Sequence, residues 1–391
     1  MGDMKKALSI YIHIPFCVRK CAYCDFLSAP ATLEVQEQYL YMLMQEIREK
    51  AGRYASEYIV KTVFVGGGTP TCVPADLLCE VIGVVKECFE MEPGAEISME
   101  CNPGTADKET LYRYHAAGVN RLSIGLQSTQ DKLLRKLGRI HTFEQFLETY
   151  QAAREAGFDN INVDLMSALP GQKFEDYEQT LKDVLELKPE HISAYSLIVE
   201  EGTPFYEMEL DLPDEDTERA MYERTEELLR EQGYYRYEIS NYALPGRECR
   251  HNQVYWERGE YLGLGLGASS LMRQRENVAA ESKITPYEQE IRTKNNSDLT
   301  TYLQGDFSYE EEIILSRREA MEEFFFLGLR QMKGVSLIEF AEQFGEDTIE
   351  WFDRAIIQNM KDGLLEQESG RLRLTKKGID VSNFVFERFL E

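Results

Sequence analysis

Leu8-Ser9-Ile10-Tyr11-Ile12-His13-Ile14 runs directly into Pro15-Phe16-Cys17-Val18-Arg19-Lys20-Cys21-Ala22-Tyr23-Cys24-Asp25-Phe26. The first part is β-type, with branched and aromatic residues in alternation. The second part offers three thiols, Cys17-x-x-x-Cys21-x-x-Cys24, on one short loop after that strand. Zinc sites usually take four ligands, commonly as two pairs. No second pair exists here, so Cys249 or a histidine would have to complete such a site. Three closely spaced thiolates suit a [4Fe–4S] cluster with one iron left open, able to chelate an amine and a carboxylate. Arg19 and Lys20 offset part of such a cluster's negative charge. The other five cysteines are scattered, and eight in 391 residues are too few for a disulfide scaffold.

Working outward from that stretch, short β-rich runs alternate with helical patterns. The strands expected are Leu8–Ile14, Thr62–Val65, Glu96–Glu100, Arg121–Leu126, Asn160–Met166 and His191–Leu197. Helices are expected over 34–57, 75–90, 107–117, 143–156 and 174–187. This alternation implies a parallel sheet with crossover helices. Six units suit an open or partial barrel better than a closed eight-stranded one. Polar residues gather at one end of these strands. Gly66-Gly67-Gly68 follows the second, Glu100 ends the third, Gln127 follows the fourth, and Asp164 lies late in the fifth. A polar strand end is ordinarily a cap, but in α/β barrels the C-terminal rim is where ligands collect.

Beyond the sixth strand the pattern predicts a helix over 214–232, a strand-like Tyr234–Ile239, and a loop containing His251. Tyr261-Leu262-Gly263-Leu264-Gly265-Leu266-Gly267 lacks the GxGxxG spacing of a dinucleotide loop and reads as close backbone packing. Residues 276–309 are polar and read as a connection. Arg317–Leu329 and Asp347–Asp362 read as helices. Ser336–Phe344 reads as a short helix opened by a Ser336/Glu339 capping box. A hairpin turning at Ser369-Gly370 follows. The expected fold class is therefore α/β: a partial (β/α)6 barrel over residues 1–240, a connecting region over 241–309, and a winged-helix-like α+β domain over 310–391. Such modules often bind DNA. Residues 306–391, however, hold 11 Lys and Arg against 19 Asp and Glu, which favours a lid or docking domain.

The whole chain has 43 Lys and Arg against 69 Asp and Glu, a formal net charge of −26. A surface this acidic disfavours non-specific nucleic-acid binding. No apolar run approaches the roughly 20 residues that span a bilayer. The N-terminus shows no signal-peptide pattern. A cytoplasmic protein without an integral membrane segment is expected.

The stretch Tyr11–Phe26 resembles the cluster motif of radical S-adenosylmethionine (SAM) proteins. More narrowly, it resembles the branch holding the oxygen-independent coproporphyrinogen III oxidases and the HemW family of heme chaperones. The resemblance covers nearly the whole chain. It implies that Cys17, Cys21 and Cys24 hold a [4Fe–4S] cluster and that Gly66-Gly67-Gly68-Thr69-Pro70 is the SAM-binding GGGTP. Tyr11, Gly67 and Glu100 would contact the cluster-bound SAM. Tyr23, Gly68, Thr69, Gln127, Arg139 and Asp164 match the positions that hold a second SAM in the oxidase. These are apt choices: carboxylates accept hydrogen bonds from ammonium or ribose hydroxyls, and Arg139 can pair with a carboxylate. In the family an electron entering the cluster cleaves SAM to methionine and a 5′-deoxyadenosyl radical.

Two features depart from the oxidase. Its fourth cysteine, two residues after the third, is replaced here by Cys24-Asp25-Phe26. His251-Asn252-Gln253-Val254-Tyr255-Trp256 resembles the HNxxYW motif associated with heme binding. Imidazole is a good axial iron ligand, and Tyr255 and Trp256 offer rings for a porphyrin face. The resemblance thus implies a heme chaperone that uses a [4Fe–4S] cluster, SAM and heme. It would pass heme to an acceptor protein and take electrons from a donor such as a flavodoxin, a ferredoxin or a bacterioferritin-like protein. No residue is assigned as catalytic. The alternative is coproporphyrinogen decarboxylation, or another radical SAM reaction on a tetrapyrrole. A zinc-stabilised scaffold is the third reading.

Overall fold

The computed structural model describes residues 5–274 and 289–390. Six parallel strands and their helices come first: β1 (Lys6–Ile14), α1 (Leu33–Tyr54), β2 (Tyr58–Gly67), α2 (Ala75–Cys88), β3 (Glu90–Cys101), α3 (Lys108–Ala117), β4 (Arg121–Gln127), α4 (Asp131–Lys136), α5 (Phe143–Glu155), β5 (Ile161–Ser167), α6 (Phe174–Leu187) and β6 (His191–Ser196). All six expected strands are present, and the short α4 is an addition. Each strand pairs in parallel with the next, in the order β1 to β6. β1 and β6 do not pair with each other, so the barrel stays open.

Alternation along these strands sorts the two faces. Leu8, Ile10, Ile12 and Ile14 of β1 are buried in one core cluster with Tyr39, Leu40, Leu43 and Ile47 of α1. The alternate residues face inward and are mostly polar. Ser9, Thr62, Glu96, Ser98 and Asn162 are all buried. A sheet buried on both faces with one polar face needs a reason for that polarity. Here the inner face lines a cavity.

The chain continues through α7 (Glu215–Glu231), β7 (Tyr235–Arg236), β8 (Asn241–Ala243), α8 (Arg250–Trp256), β9 (Tyr261–Leu264), β10 (Ser269–Gln274), β11 (Gln289–Asn295), α9 (Leu299–Leu303) and β12 (Tyr309–Leu315). β8 adds antiparallel to β6, and β9 adds parallel to β1. β10, β11 and β12 extend that edge antiparallel. Gly263 sits in β9, where a Cβ would lie 2.2 Å from the Ser269 carbonyl, so close backbone packing holds there. Two readings change. His251 lies in a helix rather than a loop. Residues 289–309, expected as polar connection, carry a strand and a helix, while 276–288 lie outside the described residues. Polarity misleads there because the polar residues are interior: Glu290 pairs with Arg258 and Arg273, and Asn295 donates to Glu46 at 2.9 Å.

The C-terminal part holds α10 (Arg317–Gly328), β13 (Val335–Ser336), α11 (Leu337–Phe344), a 3-10 turn (Glu346–Phe352), α12 (Asp353–Lys361), β14 (Leu365–Glu368) and β15 (Arg371–Leu374). Its core is aromatic, with Phe325, Phe340, Phe344, Phe352 and Phe389 buried together. The hairpin turns at Ser369 and Gly370, both with positive φ (52° and 77°), as a two-residue type I′ connection requires. The capping box expected at Ser336 is only half formed. Ser336 Oγ accepts from the Glu339 amide at 3.2 Å. Ser336 itself belongs to β13 opposite Arg371, and the Glu339 carboxylate lies 3.8 Å from that arginine. A complete box opens α10, between Ser316 and Glu319.

Candidate functional site

The inner face encloses a cavity of about 420 Å3, within the range of small-ligand sites. Its upper end lies at the C-terminal ends of β1 to β4. Cys17, Cys21 and Cys24 all line it. The loop that presents them is tied down. Lys20 Nζ donates to the Phe26 carbonyl at 2.9 Å, and His13 Nε2 bonds the Leu27 carbonyl at 2.8 Å. Thr69 Oγ1 donates to Cys17 Sγ at 3.4 Å, and Arg139 Nη1 to Cys21 Sγ at 3.8 Å. Burial, more than any other influence, pushes the Cys24 thiol up, so a thiolate there calls for a compensating positive partner.

The glycines are present because nothing larger fits. A Cβ on Gly68 would lie 2.5 Å from the Phe16 carbonyl oxygen and 2.9 Å from Cys17 Sγ. Gly67 has φ +118°, and a Cβ there would lie 2.7 Å from the His13 ring. The Gly67 amide donates to Glu100 Oε2 at 3.0 Å. Burial pushes the Glu100 carboxyl up to about 8, and the Asp164 charge adds to the shift. Asp164 is also raised by burial, against hydrogen bonds from Asn162 and Ser193 and the charges of Arg121 and Arg139. Arg139 Nη2 donates to Asn102 Oδ1 at 3.0 Å and to the Gly125 carbonyl. Among the described residues its buried Nε has no hydrogen-bond partner. Gln127 ends β4 in the left-handed region at φ +72°, and its Oε1 accepts from the Tyr195 hydroxyl at 3.2 Å. A non-glycine residue held in that region is the kind of strain that clusters at functional sites. Two buried carboxyls and a guanidinium with a spare donor are complementary to an ammonium and a carboxylate. The donor set therefore fits an amino-acid-bearing ligand.

At the opposite end of the cavity lies α8. Its first amides are satisfied from inside the barrel. The Arg250 and His251 amides donate to Glu96 Oε2 and Oε1 at 2.9 and 3.1 Å. The Cys249 amide donates to the Tyr237 hydroxyl at 3.2 Å. His251 is 1% exposed and lines the cavity. Its ring lies 5.2 Å from that of Phe64, which in turn stacks on Tyr11 at 6.3 Å. Burial, with the Arg121 charge adding, holds the imidazole down to about 3, so it is neutral at physiological pH. Tyr255, one turn on, shares its face and lines the cavity. Trp256 is rotated off that face and does not line it. Its ring carries the Arg330 guanidinium at 4.6 Å, against the C-terminal domain.

Known proteins resemble this chain over nearly its whole length. The sequence model of the Radical SAM superfamily matches residues 11–184, and that of the HemN C-terminal domain matches 315–381. The heme chaperone HemW of Lactococcus lactis is 35% identical over 393 residues, covering 99% of this chain and 98% of its own. The chain belongs to the HemW family. HemW proteins of Bacillus subtilis and Escherichia coli are also 35% identical, each match covering at least 98% of both chains. The solved structure of coproporphyrinogen III oxidase from Escherichia coli, described as a radical SAM enzyme, superposes with a TM-score of 0.83. It is 24% identical and covers 98% of this chain and 90% of its own, which establishes the shared fold.

In this HemW-family chain, Tyr11, Tyr23, Gly67, Gly68, Thr69, Glu100, Gln127, Arg139 and Asp164 all line one cavity with the three cysteines and with His251 and Tyr255. Of the residues expected to hold the cluster, SAM or heme, Gly66 and Trp256 stand outside it. His13 bonds the Tyr11 hydroxyl at 3.0 Å and anchors the cysteine loop. Sequence reading passed over Phe64, Asn102, Arg121, Ser123, Asn162 and Tyr195, which also line the cavity. The signal was available. Each of Phe64, Arg121, Ser123, Asn162 and Tyr195 falls on the inward face of its strand, counted in steps of two. Cys249 is a bystander to the cavity, its Sγ lying 3.7 Å from Glu96.

Proposed function

We propose that this chain is a heme chaperone. Cys17, Cys21 and Cys24 hold a [4Fe–4S] cluster, SAM sits against it, and heme binds in the same lumen through His251 before passing to an acceptor protein. One observation carries this reading: a single cavity has three thiols at one end and a neutral, buried imidazole at the other. Neutral imidazole is the form that ligates metals. When bound, the cluster supplies an electron and an open iron. The chain's own residues supply the rest. Glu100 and Asp164 receive the ammonium and ribose hydroxyls, Arg139 receives a carboxylate, and Tyr23, Gly68, Thr69 and Gln127 shape the surrounding space. The motif's aromatic role falls to Tyr255 in the cavity. Trp256 acts from outside it, fixing α8 against the C-terminal domain.

The name carried by the relatives points the same way. So does Asp25-Phe26, which stands where the oxidase pattern has its fourth cysteine. Among the described residues no helix is long and apolar enough to cross a membrane. The reading places the protein in the cytoplasm, acting on protein partners and not on nucleic acid: an electron donor of the flavodoxin, ferredoxin or bacterioferritin-like kind, and the heme acceptor.

The test has two arms on anaerobically reconstituted protein. Coproporphyrinogen III with SAM and a reductant should give no decarboxylated product while an authentic oxidase is active in parallel. Protein loaded with stoichiometric heme should donate it to an apo-globin faster than free hemin buffer does. Product at the oxidase's rate would make this an enzyme of the alternative class and His251 a substrate-site residue.

A further inference from the structure

Two hydrogen bonds decide which nitrogen of His251 carries the proton. Thr62, on β2 and 1% exposed, has one hydroxyl proton, and it donates that proton to Ser9 Oγ at 2.7 Å. The same Thr62 oxygen lies 2.7 Å from His251 Nδ1. A hydroxyl whose proton is already committed can only accept from its other neighbour. Nδ1 therefore carries the hydrogen, and Nε2 is left as a bare lone pair. That lone pair lies 2.8 Å from the Tyr255 hydroxyl, which donates to it. Thr62 and Ser9 sit on two adjacent strands of the barrel wall, so this orientation is set by the rigid part of the fold.

Resting on the heme reading above, we infer that Thr62 is a positioning residue that fixes the Nδ1–H tautomer and so makes Nε2 the atom that ligates heme iron, and that the Tyr255 hydroxyl covers that lone pair until heme displaces it. The chemistry follows from the two bonds. An imidazole whose far N–H is held by an acceptor is oriented and more basic at its ligating nitrogen, and losing such a partner typically costs 10- to 100-fold in metal affinity. The Tyr255 bond acts in the opposite sense. Iron and the phenol compete for one lone pair, so heme binding must break a hydrogen bond whose net worth corresponds to about two- to tenfold in affinity. The same competition gives a route for release: the phenol stands ready to recover Nε2 as heme leaves.

The tautomer is measurable without heme. In heme-free protein labelled with 15N-histidine, long-range proton–nitrogen correlation should show His251 protonated at Nδ1 and bare at Nε2. A proton on Nε2 would overturn the inference. Hemin titration followed at the Soret band supplies the second arm. Thr62→Val should bind 10- to 100-fold more weakly, Thr62→Ser should restore wild-type affinity, and Tyr255→Phe should bind about two- to tenfold more tightly. Wild-type affinity in both Thr62→Val and Tyr255→Phe, with His251→Ala abolishing binding, would overturn this inference and leave the heme reading standing. Wild-type affinity in His251→Ala would overturn the heme reading and this inference with it. Thr62→Ser and the tautomer measurement keep the test decisive should Thr62→Val fold poorly.

Discussion

Gly68→Ala is the sharpest perturbation of the cluster end. Gly68 has no positive φ, so alanine's backbone preference is not the obstacle. The obstacle is space. An added Cβ would lie 2.5 Å from the Phe16 oxygen, 2.9 Å from the Phe16 carbonyl carbon and 2.9 Å from Cys17 Sγ. Non-bonded heavy atoms settle at about 3.5–4.0 Å, so the shortfall is about 1 Å. Two of the three neighbours are backbone and cannot rotate away. The cysteine loop must therefore move off β2, carrying Cys17 with it. Overpacking of this kind costs about 1–3 kcal/mol. At about 2–4 °C per kcal/mol for a unit of barrel size, the melting temperature of cluster-free protein should fall by roughly 2–12 °C. Iron and sulfide retained after anaerobic reconstitution should fall as well. Gly83→Ala is the control. Nothing lies within 4 Å of its Cβ position in α2, and glycine to alanine inside a helix should stabilise by about 0.5–1 kcal/mol. Wild-type melting and wild-type iron content in Gly68→Ala would refute the claim that these glycines set the distance between the ligand loop and the barrel rim.

Three other outcomes are expected. Glu96→Ala removes the carboxylate that receives the first two amides of α8; it should cost about 1–3 kcal/mol in urea unfolding and weaken hemin binding, and unchanged hemin affinity would separate Glu96 from the positioning of His251. Arg258 is buried against Glu290 and Glu323 between α8 and the C-terminal domain; Arg258→Ala should cost about 3–5 kcal/mol, and a loss below about 1 kcal/mol would show that the network is not integral to the fold. Glu100 keeps its proton in the folded, ligand-free protein up to about pH 8, against an ordinary value of 4.5. The folded state thus holds the extra proton between those values, so stability should fall as pH rises from about 4.5 to 8 and level off above. Glu100→Gln should flatten that slope, and an unchanged pH profile would contradict the assignment.

Much of the barrel could be read directly from the chain, because each strand carries a clear apolar outward set: Leu8, Ile10 and Ile12 on β1, or Leu122, Ile124 and Leu126 on β4. The helices between them follow from periodicity. What escaped the reading were elements whose buried residues are polar. β11 looked like a linker because Glu290 and Asn295 satisfy interior partners, a fact that depends on Arg258 and Glu46 far away in sequence. α8 looked like a loop because its N-terminus is capped by Glu96 from another strand, and Cys249 at its own cap position makes no side-chain cap. At the site, motif spacing located the thiols, the glycines and His251. It did not separate Tyr255 from Trp256, since their different surroundings, the cavity for one and Arg330 for the other, arise only from the rotation between successive helical residues.

The most direct measurement is a Soret titration of anaerobically reconstituted protein with hemin, wild type beside His251→Ala, with both proteins shown to hold equal iron and sulfide beforehand. The account predicts saturable one-to-one binding in wild type and its loss in the variant, with the cluster content of the two unchanged. Equal hemin binding by both proteins would contradict it and remove His251 from the heme site.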